Sequence, residues 1–402
     1  MSNQLSEFRI GVDIGGTFTD IVAVNQKNGI QFNGKVLTTP KDPSEAVLSG
    51  VKDIIKKNKI DPKNCRIIHG TTLVANALIE RKGVKTALLT TQGFKDVLEI
   101  GREWRYDLFS LDLEMPLPIV PRHLRFEIEE RINFKGEIIK SLDEKGLIKV
   151  AKKIVKSGVE TLAIVFMHSF KNAIHEKLAK KIIEAHAPNL NVCLSSIVSP
   201  EIGEYERTST SVANAYVQPI FKSYVTSLVK GLKKIGITND LFLMLSDGGI
   251  VHQKTAIEFP IRLVQSGPAG GAQAATLYGK LLKQNNILCF DMGGTTAKAC
   301  LIENGKPNRT TVFEVARVFR FSKGSGLPLQ VPVVDMIEIG AGGGSIARID
   351  GMGLIQVGPD SSSSYPGPAC YGLGGLLPTV TDSDLILGYI DAENFLGGDM
   401  KL

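Results

Sequence analysis

The sequence Asp13-Ile14-Gly15-Gly16-Thr17 occurs near the start of the chain, and the same pattern returns far downstream as Asp291-Met292-Gly293-Gly294-Thr295. Both copies follow a short apolar segment typical of a buried β-strand, at residues 9–12 and 287–290, and both precede a second β-like segment. Each copy therefore predicts a strand, a tight D-x-G-G-T turn and a second strand. We expect these two hairpins to belong to two lobes of the protein.

The residue types in this pattern suit the binding of a polyphosphate. Two adjacent glycines let the backbone adopt positive φ and bring N–H groups close to an anion. A carboxylate at the end of a strand does not favour phosphate itself, but it can hold Mg²⁺ through water, and Mg²⁺ bridges phosphates. We therefore expect Asp13 and Asp291 to be catalytic and to hold Mg²⁺ (or Mn²⁺) or its waters. The predicted phosphate-binding residues of the two turns are Gly15, Gly16, Thr17, Thr19, Gly293, Gly294, Thr295 and Thr296.

One such turn would also fit an ordinary tight hairpin, but two copies in matching strand context favour a shared nucleotide. The glycine-rich segment Gly340-Ala341-Gly342-Gly343-Gly344-Ser345 is interpreted as a third contact loop, with Gly342, Gly343 and Gly344 near the nucleoside. A loop that merely turns tightly is the alternative. No G-x-x-x-x-G-K-[ST] sequence occurs, which excludes a P-loop protein.

His69 precedes Gly70-Thr71-Thr72 at the end of a predicted strand. We predict a catalytic role for it at the substrate or phosphate, with a hydrogen-bonded structural histidine as the alternative. Arg102 and Arg207 are further candidates for contact with acidic substrate groups, and ion pairing is the alternative for both.

Composition and charge limit the function classes. The chain has 402 residues, a hydrophobic fraction of 43% and a formal charge of +6, and its lysines lie mostly on helix-like segments, so no nucleic-acid partner is expected. No apolar run is long enough for a bilayer, so no membrane contact is expected. Five dispersed cysteines without a C-x-x-C motif fit reduced thiols and predict a cytoplasmic protein.

Strand-like and helix-like segments alternate along most of the chain, which favours α/β units with partly parallel sheets. We expect a helix over residues 44–57 capped by Ser44, and a long helical segment over residues 204–234 interrupted at Pro219. The predicted domains are residues 8–188, which carry the first hairpin, and residues 200–402, which carry the second hairpin and the glycine-rich loop.

At these residues the chain resembles the two-lobed actin/hexokinase/Hsp70 type of ATPase. The resemblance implies an α/β, ribonuclease H-like fold with a nucleotide cleft between the lobes. More closely, the sequence resembles the A-type subunit of the hydantoinase/oxoprolinase family over essentially the whole chain. Besides the two hairpins, the resemblance rests on four segments: His69-Gly70-Thr71-Thr72, residues 93–102, residues 200–207 and Ser266-Gly267-Pro268-Ala269-Gly270-Gly271.

This resemblance implies an ATP-dependent hydrolase subunit that opens a cyclic amide, such as a hydantoin, 5-oxoproline or a related lactam, after phosphorylation of its carbonyl oxygen. It also implies a B-type partner subunit, a hetero-oligomer and a small-molecule substrate. A subunit of an acetone- or acetophenone-type carboxylase is the alternative within enzymes. A nucleotide-gated regulatory subunit without turnover is the alternative outside them.

Three features depart from the family pattern. Lys298 stands where many members have the final aspartate of D-x-G-G-T-x-x-D, so metal binding would fall to Asp13, Asp20 or Asp291. Four consecutive serines, at residues 361–364, replace a loop of small residues. The C-terminal region of the family is expected to be absent from this sequence.

Overall fold

The computed structural model describes residues 7–15, 18–39, 42–294, 296–319, 322–363, 365–398 and 400–402. Its strands, in chain order, are β1 Phe8–Ile14, β2 Phe18–Asn25, β3 Gln31–Leu37, β4 Cys65–Thr71, β5 Thr86–Thr91, β6 Arg125–Ile128, β7 Arg131–Ile132, β8 Ile138–Lys140, β9 Thr161–Val165, β10 Asn191–Leu194, β11 Leu241–Met244, β12 Ile250–His252, β13 Ile287–Met292, β14 Ala297–Glu303, β15 Lys306–Pro307, β16 Arg309–Val315, β17 Leu327–Val334, β18 Ile337–Ile339, β19 Ser345–Ile349 and β20 Ile355–Ser361. Its α-helices are α1 Pro43–Lys57, α2 Leu73–Ile79, α3 Val97–Ile100, α4 Glu144–Lys156, α5 Ile174–His186, α6 Ser195–Val198, α7 Glu204–Lys234, α8 Gln253–Glu258, α9 Ser266–Leu282 and α10 Val380–Ile386.

The first predicted hairpin lies inside a mixed sheet with the strand order β12-β11-β4-β1-β2-β3. β1 pairs with β2 in antiparallel fashion and with β4 in parallel along its whole length. Its apolar side chains, such as Ile10 and Val12, are 0% and 3% exposed. α1 covers this face, and Gly50 brings the helix so close that a Cβ there would lie 2.4 Å from Cδ1 of Ile21. This hairpin therefore forms as predicted, around a buried strand.

The second hairpin has the same strand pairing but a different environment. β13 and β14 pair in antiparallel register from Ile287↔Ile302 to Met292↔Ala297, and β14 also pairs with β15 and β18. Within the described part of the chain, β13 has no second strand neighbour. Leu288 and Phe290 are 64% and 57% exposed. The prediction of a buried strand is wrong here, because α9 covers only one face of this small sheet.

A second, all-parallel sheet has the order β10-β9-β5-β6 and packs against α4 and α5. The long helix α7 lies between this sheet and the sheet of the first hairpin. It is one continuous helix, so the predicted interruption at Pro219 is wrong. A proline at 219 removes the helical hydrogen bond to the Ala215 carbonyl. The helix still continues, because buried side chains on both sides of the proline, Val217 and Phe221, hold it in the core.

The N-terminus of α1 also differs from the prediction. Asp42, not Ser44, is the N-cap, and its side chain accepts a hydrogen bond from the backbone N–H of Ser44 at 3.0 Å. Pro43 occupies the first helical position, where a missing N–H costs nothing. No helix in the described ranges combines the length and apolar character needed to cross a bilayer.

Candidate functional site

The two D-x-G-G-T turns close in the same way. The backbone N–H of Gly15 donates to the carbonyl of Phe18 at 2.8 Å, and the N–H of Gly293 donates to the carbonyl of Thr296 at 2.9 Å. These are equivalent positions of the repeated pattern, so the repeat in sequence is also a repeat in backbone structure. The predicted phosphate ligands Gly16, Thr17 and Thr295 lie outside the described residues.

Asp13 and Asp20 line a cavity at the first turn, and the charge of Asp291 from the second turn acts on Asp13. Burial raises the pKa of Asp13, and the negative charges of Asp20 and Asp291 raise it further. Asp20 is the cross-strand neighbour of Asp13, and Asp291 belongs to the other hairpin. Both lie near enough for their charges to act on Asp13. Protein atoms surround Asp13, yet its side chain still opens onto the cavity.

Glycines leave room around the Asp13 carboxylate. A Cβ on Gly70, at the end of β4, would lie 2.9 Å from Oδ1 of Asp13, and one on Gly267, in the first turn of α9, would lie 3.5 Å from it. The Ser266 hydroxyl accepts from the backbone N–H of Thr71 at 3.0 Å and donates to its carbonyl at 2.8 Å. These bonds fix the N-terminus of α9 against β4, so the positive end of the helix dipole points into the cleft.

The glycine-rich loop supports the second turn from behind. The N–H groups of Gly343 and Gly344 donate to the carbonyls of Gly293 and Gly294 at 2.9 and 2.7 Å, and the N–H of Gly342 donates to the Ser345 hydroxyl at 2.9 Å. A Cβ on Gly344 would lie 3.0 Å from the Gly294 carbonyl oxygen. The donors of this loop are thus used inside the protein, and its glycines allow close backbone contact with the turn.

Thr19 is fully buried, which removes its hydroxyl from the cleft. Its Oγ1 lies 3.1 Å from Oγ1 of Thr38, whose hydroxyl donates to the carbonyl of Gly15 at 3.0 Å. Thr19 therefore holds the first turn in place and does not reach a ligand. Thr296 is half-buried at the second turn.

His69 is fully buried between β1 and α7. Its Nδ1 donates to the carbonyl of Val12 at 3.3 Å, and the hydroxyl of Tyr224 donates to its Nε2 at 2.7 Å. Burial lowers the pKa of His69 to about 4, so the ring is neutral at pH 7. With both nitrogens engaged away from the cleft, the geometry does not support the predicted catalytic role and agrees with the structural alternative.

A groove leads from the Asp13 cleft to a second cavity. We call this groove the Lys298 groove. Gly267 lines both the cavity beside Asp13 and the start of this groove, Lys298 lines its middle, and Trp104 lines its far end. The walls of the far cavity are about half apolar, with Leu98, Met115, Pro116, Pro118 and Tyr205 beside the charged Glu99, Arg102 and Glu314. There the guanidinium of Arg102 lies 5.2 Å from the Trp104 ring centroid and pairs with the buried Glu206 carboxylate.

The other arginine candidate, Arg207, is buried and donates to the carbonyls of Phe166 and Glu201.

Sequence reasoning missed several residues of this groove. Glu314, Arg317 and Glu338 line it, on or next to β16 and β18. No motif or spacing marks these residues in the sequence, because the groove forms only when the β16–β17 hairpin packs beside α9.

The residues of the cleft fit a hydrated magnesium ion. Among the described residues, no group of three or more His, Cys, Asp or Glu side chains has the arrangement of a metal cage. Mg²⁺ does not need one, because it is usually held by one or two carboxylates together with waters and substrate phosphates. Burial raises the pKa of Asp13 most, and the neighbouring charges of Asp20 and Asp291 add to it; a cation would offset the contribution of these charges.

Comparison with known proteins matches this architecture. The model of the hydantoinase/oxoprolinase N-terminal region matches residues 9–187, and the hydantoinase/oxoprolinase model matches residues 207–402. The caprolactamase subunit alpha of Pseudomonas jessenii is 36% identical, over 100% of this chain and 57% of that subunit. The 5-oxoprolinase of Saccharomyces cerevisiae is 34% identical, over 98% of this chain and 32% of that enzyme.

Two solved structures share the fold. The ATP-dependent caprolactamase from Pseudomonas jessenii superposes with a TM-score of 0.81 at 34% identity, and nucleotide-free acetone carboxylase does so with a TM-score of 0.77 at 28% identity. Each match covers 98% of this chain, and 57% and 56% of the respective neighbours. The chain thus spans little more than half the length of these relatives.

Fold and site together define an α/β protein of the two-lobed, actin/hexokinase-like ATPase fold, as predicted. The chain belongs to the hydantoinase/oxoprolinase family, as an A-type member, which confirms the resemblance. The division into domains at residues 8–188 and 200–402 stays a prediction, and β11 and β12 from the second segment join the sheet of the first.

Proposed function

We propose that this chain binds ATP with Mg²⁺ in the cleft between the two hairpins and is the A-type subunit of an ATP-dependent enzyme that opens a cyclic amide. The observation that carries the proposal is that two equivalent turns bring Asp13 and Asp291 near enough for their charges to interact. Such proximity is expected if both turns act on the same triphosphate. The caprolactamase and 5-oxoprolinase relatives support the choice of a cyclic amide as substrate.

The chemistry follows from the resistance of amides to hydrolysis. Transfer of the γ-phosphoryl group to the carbonyl oxygen releases ADP and makes the carbonyl carbon electrophilic. Attack by water, cleavage of the ring C–N bond and loss of phosphate then give the open amino acid, ADP and phosphate. Magnesium, when bound, neutralises the phosphate charge. Phosphoryl transfer otherwise needs mainly positioning and charge stabilisation.

The chain's own groups supply that positioning. Asp13 and Asp291 would hold the metal ion or its waters, and the backbone N–H groups of the turns and of the α9 N-terminus would bind phosphate oxygens. Lys298, the departure from the family pattern, lies across the β13–β14 hairpin from Asp291. Its ammonium group would stabilise negative charge on the transferred phosphoryl group without binding metal.

We place the phosphoryl acceptor, the cyclic amide, in the Lys298 groove. It joins the Asp13 cleft to the cavity walled by Trp104, Met115 and Tyr205. Apolar walls with fixed polar groups are typical of small-molecule sites. The apolar side chains of this cavity suit the methylene groups of a lactam ring, and its charged side chains suit the amide.

A carboxylase remains the second candidate, because acetone carboxylase is a structural neighbour with a TM-score of 0.77. In that case the phosphoryl acceptor would be bicarbonate or an enolate oxygen. Relatives described as subunits alpha, beta and gamma support assembly into a hetero-oligomer with a B-type partner.

Thermal unfolding with ATP tests the nucleotide site. At a concentration of Mg-ATP near 100 times its Kd, binding should stabilise the wild type by about 2.7 kcal/mol. Asp13→Ala and Asp291→Ala should remove most of this gain, whereas Asp53→Ala, an exposed aspartate of α1, should keep it. Equal stabilisation of all four proteins would contradict the site assignment.

Turnover assays test the reaction. The chain, together with a B-type partner, should hydrolyse ATP faster with hydantoin, 5-oxoproline or caprolactam than without them, and should form the ring-opened amino acid. Stimulation only by a ketone with bicarbonate would select the carboxylase. ATP binding that changes partner affinity without any turnover would select a regulatory subunit.

A further inference from the structure

The far cavity at the end of the Lys298 groove has both aromatic and charged side chains in its wall. Trp104 and Tyr205 supply aromatic rings, and the charged side chains are Glu99, Arg102 and Glu314. Transfer of an ion from water into such a cavity costs free energy unless an opposite charge is available to pair with it. The state of these three charges therefore decides whether the cavity favours a charged or an uncharged ring.

Arg102 is the cation of this wall among the described residues, and the protein already compensates its charge. Its Nε donates to Oε1 of Glu206, whose side chain is only 8% exposed. Its guanidinium also lies 5.2 Å from the centroid of the Trp104 ring. Gly203 makes room for the carboxylate, since its φ is +106° and a Cβ there would lie 2.8 Å from Oε2 of Glu206. A ligand carboxylate would thus have to compete with Glu206 for Arg102.

The two glutamates of the wall are compensated in the same way. Nη2 of Arg125, whose side chain is 0% exposed, donates to Oε1 of Glu99 at 2.9 Å. Nε of Arg317 donates to Oε2 of Glu314 at 3.1 Å, and the backbone N–H of Gly324 lies 2.9 and 3.0 Å from the two oxygens of that carboxylate. Together with the pair of the preceding arginine, the wall contains three ion pairs and is neutral as a set.

The phenol of Tyr205 reports the electrostatic potential at the same wall. Burial raises the pKa of Tyr205 most, and the charges of Glu206 and Glu314 raise it further. Arg102 lowers the pKa, but its effect is smaller than that of either carboxylate. The potential at this hydroxyl is therefore negative, and an anion placed beside it would be repelled.

We infer that the far cavity selects an uncharged cyclic amide, such as a lactam or a hydantoin without an ionised substituent, and discriminates against the carboxylated ring of 5-oxoproline. This inference rests on the proposed function, which places the cyclic amide here. Glu206 is the positioning residue that sets the selection, because it neutralises Arg102. The N–H of an uncharged ring can donate to a free lone pair of Glu99 or Glu314 without breaking an ion pair.

Fluorescence titration tests the inference without ATP or turnover. Trp104 is the single tryptophan of the chain and lines the far cavity, so its emission reports the ligands that enter. Three ligands share one five-membered ring: 2-pyrrolidinone, 5-oxoproline, which is ionised at pH 7, and 5-oxoprolinamide, which matches 5-oxoproline in size but has no charge. The wild type should bind 5-oxoprolinamide about tenfold more tightly than 5-oxoproline. Equal or tighter binding of 5-oxoproline would overturn the inference.

Two variants test the role of Glu206. Glu206→Gln keeps the size of the side chain but leaves Arg102 uncompensated, so it should strengthen the binding of 5-oxoproline relative to its amide by about fivefold. The double variant Arg102→Met/Glu206→Gln removes both charges and should restore the wild-type ratio. Glu204→Gln, at an exposed position in the first turn of the same helix, is the matched control and should leave the ratio unchanged. A merely structural effect would change both affinities alike, and an unchanged ratio in Glu206→Gln would overturn the assignment.

The same ligands separate failure of this inference from failure of the proposed function. If 5-oxoproline bound best and stimulated ATP hydrolysis, the selection would be wrong and the proposed function would stand. If no ring changed the emission of Trp104 while Mg-ATP still stabilised the chain, the inference would be wrong and the nucleotide site would stand. If the uncharged rings bound with the expected preference but none stimulated ATP hydrolysis with the partner, the inference would hold and the proposed reaction would be wrong.

Discussion

The hairpins β1–β2 and β13–β14 carry the same turn and the same closing hydrogen bond, but they sit differently in their sheets. β1 and β2 lie inside a six-stranded sheet, whereas β13, among the described strands, is at the edge of a smaller one. In the first, a parallel strand, a helix and a buried histidine hold Asp13 in place. In the second, α9 covers one face of the hairpin and the glycine-rich loop donates two hydrogen bonds to the turn, and the described residues show no strand beyond β13. A local sequence pattern therefore sets the turn, whereas neighbouring elements set how firmly it is held.

The largest expected difference concerns stability. Ile10→Ala removes a fully buried side chain and should lower the free energy of unfolding by roughly 2–5 kcal/mol. Leu288→Ala, at the equivalent exposed position, should change it by less than about 0.5 kcal/mol. Urea denaturation of both variants measures the contrast. Equal losses would mean that the exposed side chain of Leu288 is covered in solution.

The pH dependence of stability should come next in size. Burial holds the folded-state pKa of His69 near 4, below its usual value of 6.5. Between these pH values the unfolded chain binds a proton that the folded chain does not. The contribution of His69 to the free energy of unfolding is therefore complete above pH 6.5. It is lost as the pH falls towards 4, which lowers the free energy of unfolding by up to roughly 3 kcal/mol.

This loss should be measured by denaturation at several pH values and by hydrogen exchange, corrected for the intrinsic effect of pH. Exchange should accelerate in β1 and β4, which His69 joins, and much less in β13. His69→Gln should flatten the pH dependence, whereas His186→Gln, at the exposed end of α5, should leave it unchanged. If the pH dependence of stability were the same in His69→Gln as in the wild type, it could not be assigned to His69.

Binding should respond to the glycine beside Asp13. Gly70→Ala would place a Cβ 2.9 Å from Oδ1 of Asp13, whereas Gly271→Ala meets no atom within 4 Å. We expect the first change to weaken ATP binding on the order of ten- to a hundredfold, because displacement of a positioning carboxylate is costly. The second should leave binding unchanged. Calorimetric titration with Mg-ATP measures both, and similar affinities would show that the Asp13 position is not critical.

The smallest effect on ATP binding is expected from Lys298, which stands in the second hairpin where the first has Asp20. Lys298→Ala removes a half-exposed cation near the phosphate position and should weaken ATP binding about three- to tenfold at low salt. The difference should shrink in 0.5 M NaCl, because screening acts on exposed charges. Lys280→Ala, an exposed lysine of α9, serves as the control. Tighter ATP binding by Lys298→Ala would assign Lys298 a different role.

Both hairpins could be predicted from the sequence because each depends on residues close together in the chain. Strand alternation and two adjacent glycines are local properties, and they give the same turn at residues 15 and 293. The roles of His69 and Thr19 could not be predicted in this way. Their positions next to glycine- and threonine-rich turns are typical of ligand contacts, but the tertiary fold directs both side chains into the protein.

The sequence by itself determined the two D-x-G-G-T turns, the α/β class and the family. Only the tertiary structure decided that the charge of Asp291 acts on Asp13, that the glycine-rich loop supports the second turn, and that the equivalent apolar residues are buried in one hairpin and exposed in the other. The reason is physical. Turn geometry follows from short-range steric and hydrogen-bond preferences, whereas burial and charge interaction depend on segments that are distant in sequence and packed together only in the folded chain.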